Sequence, residues 1–215
     1  MNFLGHHEVA RSVSGDDNPA FLFGSMVPDF VGMARLKRDY KYNNGDDVTD
    51  RQLYAGIRFH YKTNDRFDES EPVKELERAM IAGFKKFMPR WTAVQCGRVG
   101  KDILFDGYVI KQPMVVESYQ NTLGIAASGL IVLTGIAESP EGLLQGVQMM
   151  EQLGLPDYAD PEVVAHRLYR RLTGTRSEFS PDLLPHLSEA MTEHQATVFE
   201  IGSIVMDEVV EKLAA

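Results

Sequence analysis

The segment 49–68, TDRQLYAGIRFHYKTNDRFD, repeats large apolar side chains at intervals of three and four residues. That interval is the spacing of one face of an α-helix. Thr49 begins the sequence Thr-Asp-Arg-Gln, which has the form of a capping box at a helix start. His60, Asn64 and Asp68 are four residues apart, so they fall along one helix face. The segment therefore predicts an amphipathic helix that carries a row of polar side chains.

Similar helix signals run through the rest of the chain. A serine or aspartate directly followed by proline, at Ser139, Asp160 and Ser180, predicts an N-cap with proline at the first helical position. Gly174 has the position of a helix stop. Strand signals are nearly absent, because no long run alternates with period two. We predict an all-α protein, a single-domain bundle of eight or nine helices over residues 1–215.

The composition is that of a globular protein, with 44% apolar and 25% charged residues in a chain of 215. Cys96 is the single cysteine, which excludes an intrachain disulfide and a cysteine-based zinc site. The first twelve residues lack the basic start and unbroken apolar run of a signal peptide, so we expect a cytoplasmic location. The apolar stretch 122–137 is shorter than the ~20 residues of a membrane span and predicts a buried helix instead.

The net charge of −9 is unevenly distributed. Residues 1–120 hold 17 acidic and 17 basic side chains, whereas residues 121–215 hold 14 acidic and 5 basic ones. An acidic second half argues against nucleic acid as a partner, since nucleic acid requires a basic face. The balanced first half has basic residues able to meet phosphate, although for most of them a solvated helix face is the favoured interpretation.

Four groups of polar residues within the first 110 positions have the chemistry of a metal site. They are His6-His7, Asp29, the segment 60–68, and the pair Asp102 and Asp106. A carboxylate isolated in apolar sequence is costly to bury unless it is paired or binds a metal. Imidazoles and carboxylates together suit Mn, Fe or Zn, or Mg where carboxylates dominate.

Each of these residues also has an ordinary structural explanation. A histidine on an apolar helix face is commonly a hydrogen-bonded core residue. The two aspartates at four-residue spacing could pair with Arg98 and Lys101, and Asp29 could cap a helix or pair with Arg35. A di-iron site in a helical bundle is a further alternative, but no histidine here has a glutamate three residues before it.

The order of these groups resembles the bacterial acyl carrier protein phosphodiesterase family, an all-helical branch related to the HD-domain metal phosphohydrolases. That family opens with Asn-Phe-Leu-Ala-His, and this chain opens with Met-Asn-Phe-Leu-Gly-His6. The family's second motif is a glycine followed by Asp-Phe-Val, similar to Gly24 and the segment 29–31 here.

The third family motif is Gly-Ile-x-x-His with aspartates four and eight positions later, and this chain has Gly-Ile-Arg-Phe-His60, Asn64 and Asp68. The fourth is Asp-x-x-x-Asp-His, similar to Asp102 and Asp106. The four motifs occur in order at similar spacing over residues 1–110, while residues 121–215 resemble the family only in being helical.

Two positions depart from the family pattern. Asn64 stands where the family has aspartate, with Asp65 adjacent, and Gly107 stands where the family has histidine. A missing imidazole removes a metal ligand or a general acid. The alternative to a hydrolase is therefore a diverged binding or scaffold protein of the same fold.

The resemblance implies a metal-dependent phosphodiesterase in which a metal-activated water attacks a phosphodiester. It implies that the partner is acyl carrier protein or another substrate with a phosphodiester. Acyl carrier protein is very acidic, so the acidic second half of this chain would repel it. A homodimer is the commonest oligomer, and nothing in the sequence decides it. Asn64 and Asp68 are the predicted catalytic residues, which would orient ligands or a water. The predicted ligands of a divalent metal (Mn, Fe, Zn or Mg) are His6, Asp29, His60, Asp102 and Asp106.

Overall fold

The computed structural model describes residues 1–15, 17–34, 36, 48–129, 131, 139–173 and 180–215. Within these ranges the regular structure is helical and no strand occurs, which confirms the all-α prediction. The α-helices are α1 (Phe3–Ser14), α2 (Pro19–Met33), α3 (Val48–Glu69), α4 (Glu71–Phe84), α5 (Arg90–Val109), α6 (Pro113–Ala127), α7 (Pro140–Leu153), α8 (Pro161–Thr173) and α9 (Leu184–Ala214).

Two of the four predicted caps, at Ser139 and Asp160, directly precede α-helices. Ser139 Oγ accepts a hydrogen bond from Gly142 N at 3.0 Å, and α8 begins directly after Asp160. Ser180 Oγ caps a short 3₁₀ turn that leads into α9, rather than an α-helix. The predicted cap at Thr49 is wrong, because α3 already includes the preceding residue. Gly174 and most of the polar loop 39–48 lie outside the described residues.

The apolar stretch 122–137 does not form one helix. Helix α6 ends at Ala127, and Gly129 then adopts a φ of 79°, a left-handed conformation that glycine takes at little cost. The prediction of a continuous helix is wrong for this part, and residues 132–138 lie outside the described ranges. Among the described helices, none is long and apolar enough to cross a membrane.

Two glycines allow α2 and α3 to pack with their backbones in close contact. A Cβ atom on Gly24 would lie 2.2 Å from Leu53 O, and one on Gly56 would lie 2.2 Å from Phe21 O. A side chain at either position would therefore push the helices apart. This close crossing places the middle of α2 against the face of α3 that carries His60.

The two halves of the chain share one hydrophobic core. Phe67, Phe105 and Tyr119 from the first half, and Leu168 and Met191 from the second, are buried in the same cluster. Helix α9 packs against α1, α3, α4, α5 and α8. The acidic second half therefore supports the helices that bear the polar motifs.

Candidate metal centre

Three of the five predicted ligands come together where α1, α2 and α3 meet. One donor atom from each of His6, Asp29 and His60 lies within 4.8 Å of the other two. This spacing would let all three contact one ion after small side-chain adjustments. Among the described residues, no other group of three histidine, cysteine, aspartate or glutamate side chains meets this criterion.

His60 is held in a single orientation by the backbone of α2. Its Nδ1 lies 2.8 Å from Ser25 O, and a carbonyl can only accept, so Nδ1 carries the proton. Nε2 therefore presents a lone pair, which accepts from Asn64 Nδ2 at 3.1 Å. A backbone contact of this type is how proteins orient a histidine ligand. The Asn64 amide therefore hydrogen-bonds to the His60 nitrogen that would bind a metal.

His6 is fully buried and stacks on His60, with ring centroids 3.8 Å apart. Neither of its ring nitrogens hydrogen-bonds to any part of the chain that the structure describes. Burial, reinforced by the neighbouring His60, holds the pKa of His6 well below its usual range. His6 is therefore neutral near pH 7, the form in which imidazole binds metals. The adjacent His7 points elsewhere, with Nε2 3.3 Å from Thr122 Oγ1.

Asp29 connects the buried histidines to solvent. Its Oδ2 lies 3.9 Å from His6 Nε2, and its side chain is 23% exposed. It lines a cavity of about 740 Å³ between α3, α4 and α5. Other predicted site residues also line this cavity, namely His60, Asn64, Asp68 and Asp102. The predicted catalytic residues thus face the same space as two of the clustered donors.

Lys101 lines the cavity, and the sequence analysis considered it only as a pairing partner for the aspartates. It is 3% exposed, and its ammonium lies 2.7 Å from Asp68 Oδ1 and 3.1 Å from Asp102 Oδ1. The Met1 amino group also lies 2.8 Å from Asp102 Oδ1. Pairing with Lys101 is the ordinary explanation offered above for Asp102. The sequence signal for this role was the position of the lysine directly before Asp102.

Asp106 lies outside the three-donor cluster. It is fully buried, its Oδ1 accepts from Gly5 N at 3.0 Å, and its Oδ2 accepts from Asn2 Nδ2 at 2.9 Å. A carboxylate at the first turn of a helix is favoured by the unpaired amides and the helix dipole. The structure supports an anchoring role for Asp106 at the start of α1, and its role as a ligand stays a prediction.

Burial raises the pKa of Asp106 to about 7, which predicts a pH-dependent stability. Because its pKa is raised in the folded state, the protonated carboxyl group stabilises the folded protein. This contribution is complete below the pKa of the unfolded chain, and it is lost as the pH rises through the folded-state pKa of about 7. We expect metal-free protein to lose about 2 kcal/mol of unfolding free energy between pH 5 and pH 8 relative to Asp106→Asn. Urea unfolding of both proteins measures this, and equal pH slopes would contradict it.

Gly107 cannot be replaced by the family's histidine without local rearrangement. A Cβ atom at this position would lie 2.2 Å from Tyr158 O, in the turn before α8. The backbone of that turn occupies the space that a side chain would need. A metal site in this protein would therefore lack a ligand from position 107.

The fold and the site together define an all-α protein with a two-histidine, one-aspartate cluster beside a polar cavity. No protein-family model, curated protein or solved structure matches the chain.

Proposed function

We propose that the protein is a divalent-metal-dependent phosphohydrolase that acts on phosphodiesters, with the metal held by His6, Asp29 and His60. The observation that carries the proposal is the approach of these three donors to within 4.8 Å. Two of them, Asp29 and His60, open onto a cavity large enough for a small-molecule or cofactor-sized group.

The donors fit a divalent ion chemically. Two neutral imidazoles and one carboxylate are ligands for Zn, Mn or Fe, and Mg becomes favourable where further oxygens join. The fixed tautomer of His60 leaves Nε2 as the donor, provided that the Asn64 amide turns aside. A bound ion would polarise a phosphoryl oxygen and lower the pKa of a water.

The chain's own residues supply orientation and charge around this ion. Lys101 holds the carboxylates of Asp68 and Asp102 at the cavity wall. In this proposal Asp68 would accept a proton from a water in the cavity. Lys74 and Arg78 line the same cavity and can meet an anionic substrate. The relation to HD-domain enzymes, the cytoplasmic location and the choice of acyl carrier protein as substrate rest on the sequence argument alone.

Metal content and phosphodiester cleavage test this proposal directly. Purified protein is analysed by elemental mass spectrometry before and after reconstitution, and hydrolysis of bis(p-nitrophenyl) phosphate is followed with and without a chelator. We expect near-stoichiometric Mn, Fe, Zn or Mg and hydrolysis that the chelator abolishes. Acyl carrier protein is the next substrate to assay. Protein that takes up no divalent ion after reconstitution would contradict the proposal.

A second candidate, a binding or scaffold protein without hydrolase activity, is favoured by the contact between Asn64 and His60. The amide Nδ2 lies 3.1 Å from His60 Nε2 and occupies the lone pair that a metal needs. Asparagine cannot supply the negative charge that aspartate brings to a cation site. This candidate predicts weak metal binding and no phosphodiester cleavage.

Asn64→Asp tests whether Asn64 weakens metal binding, as the second candidate requires. The change removes the amide from His60 Nε2 and adds a carboxylate beside the cluster, so we expect divalent-metal affinity to rise by about tenfold. Calorimetric titration with Zn²⁺ or Mn²⁺ measures the difference. Asn121→Asp on the exposed face of α6 is the matched control for added charge and should leave the affinity unchanged. Equal affinities of wild type and Asn64→Asp would show that Asn64 does not limit metal binding.

A further inference from the structure

Arg167 on α8 brings a cation to the edge of the metal cluster. Its guanidinium Nη2 lies 3.5 Å from Met33 Sδ, and the side chain is half-buried. Within the described ranges this sulfur is its hydrogen-bond partner, and no carboxylate lies within 4 Å of it. A thioether is a weak acceptor, whereas a guanidinium offers five N–H donors.

The position of Met33 places Arg167 next to a proposed metal ligand. Met33 follows Asp29 by four residues on α2, and residues at that spacing are neighbours on one helix face. Asp29, Met33 and Arg167 all line a second, smaller cavity of about 60 Å³, together with Asp102. Met1, Asp29 and Asp102 also line the larger cavity, so these three residues lie between the two spaces.

The smaller cavity combines the guanidinium of Arg167 with the carboxylates of Asp29 and Asp102, and Asp102 is already paired with Lys101 and the Met1 amino group. Its volume of about 60 Å³ corresponds to roughly two water molecules in the liquid. The planar guanidinium fork matches two phosphoryl oxygens in a bidentate contact. Arginine in this arrangement stabilises charge on a transferring phosphoryl group.

We propose that Arg167 binds the phosphoryl oxygens of the substrate, in a subsite formed by α8 and the small cavity beside Asp29. The inference rests on the proposed function for the identity of the ligand, but the anion site can be tested on its own. It assigns a binding role to the second half of the chain, whose resemblance to the phosphodiesterase family is confined to its helical character. Negative charge on the phosphoryl group would meet the guanidinium on one side and the metal cluster on the other.

The probe for this subsite is inorganic phosphate, titrated calorimetrically into metal-free and metal-reconstituted protein. Arg167→Gln removes the charge, Arg167→Lys keeps the charge but loses the fork, and Arg170→Gln removes an exposed arginine one turn along α8. We expect Arg167→Gln to weaken phosphate binding by about tenfold or more, and Arg167→Lys to weaken it less. Arg170→Gln should bind phosphate as the wild type does, and all variants should take up metal equally.

The outcomes separate this inference from the proposed function. Wild-type protein that binds metal but shows the same phosphate affinity as Arg167→Gln would overturn the Arg167 subsite and leave the hydrolase proposal intact. Protein that takes up no metal, yet binds phosphate in an Arg167-dependent manner, would overturn the hydrolase proposal and retain the anion subsite. Absence of phosphate binding at millimolar concentrations by the wild type, with or without metal, would overturn the subsite.

Discussion

Replacing His60 with alanine is expected to abolish uptake of a divalent ion. His60 lines the cavity beside the other donors, and its Nε2 is directed by the contact of Nδ1 with Ser25 O. Removal of the imidazole leaves one buried histidine and one aspartate, too few protein ligands for a tightly held ion. Elemental analysis after reconstitution should give near-stoichiometric metal for the wild type and a background level for the variant.

Two further variants distinguish loss of a ligand from loss of the fold. His166→Ala removes an exposed histidine on α8 and should retain the full metal content. Asp29→Asn keeps the size of the side chain, removes its charge, and should also lose the metal, while circular dichroism confirms the helical fold. Full retention of metal by both His60→Ala and Asp29→Asn would show that the cluster is not the metal site.

Placing at position 107 the histidine found in the phosphodiesterase family is expected to destabilise the protein rather than to complete a metal site. A Cβ atom at Gly107 would lie 2.2 Å from the Tyr158 carbonyl oxygen, and backbone cannot move aside as a flexible side chain does. We expect Gly107→Ala to lose about 3 kcal/mol of unfolding free energy or more, and Gly107→His to lose at least as much. Urea unfolding of the three proteins measures the effect.

Gly124 provides the matched control for this substitution. It lies in α6 with no heavy atom within 4 Å of a Cβ position, so Gly124→Ala should be neutral or stabilising by up to about 1 kcal/mol. A Gly107→His protein that is as stable as the wild type and binds metal more tightly would contradict the steric argument. It would mean that the turn at Tyr158 yields to a ligand at this position.

Local sequence signals were sufficient to predict the helical character of the chain. Helix periodicity and caps depend on neighbouring residues, and the caps at Ser139 and Asp160 mark helix starts as expected. The same reasoning failed where apolar character continued past a helix end. Gly129 ends the regular α6 segment through its left-handed φ, which composition alone did not reveal.

The sequence by itself determined which polar residues could serve a metal site, because ligand chemistry belongs to residue type. His6, Asp29 and His60 were among five candidates, and only the packing of α1, α2 and α3 brought these three together. The close helix crossing that allows this depends on contacts between residues distant in the chain, and local patterns do not encode such distances. Tertiary structure likewise decided that Asp106 anchors α1, that Lys101 pairs with Asp68, and that the Tyr158 carbonyl fills the space beside Gly107.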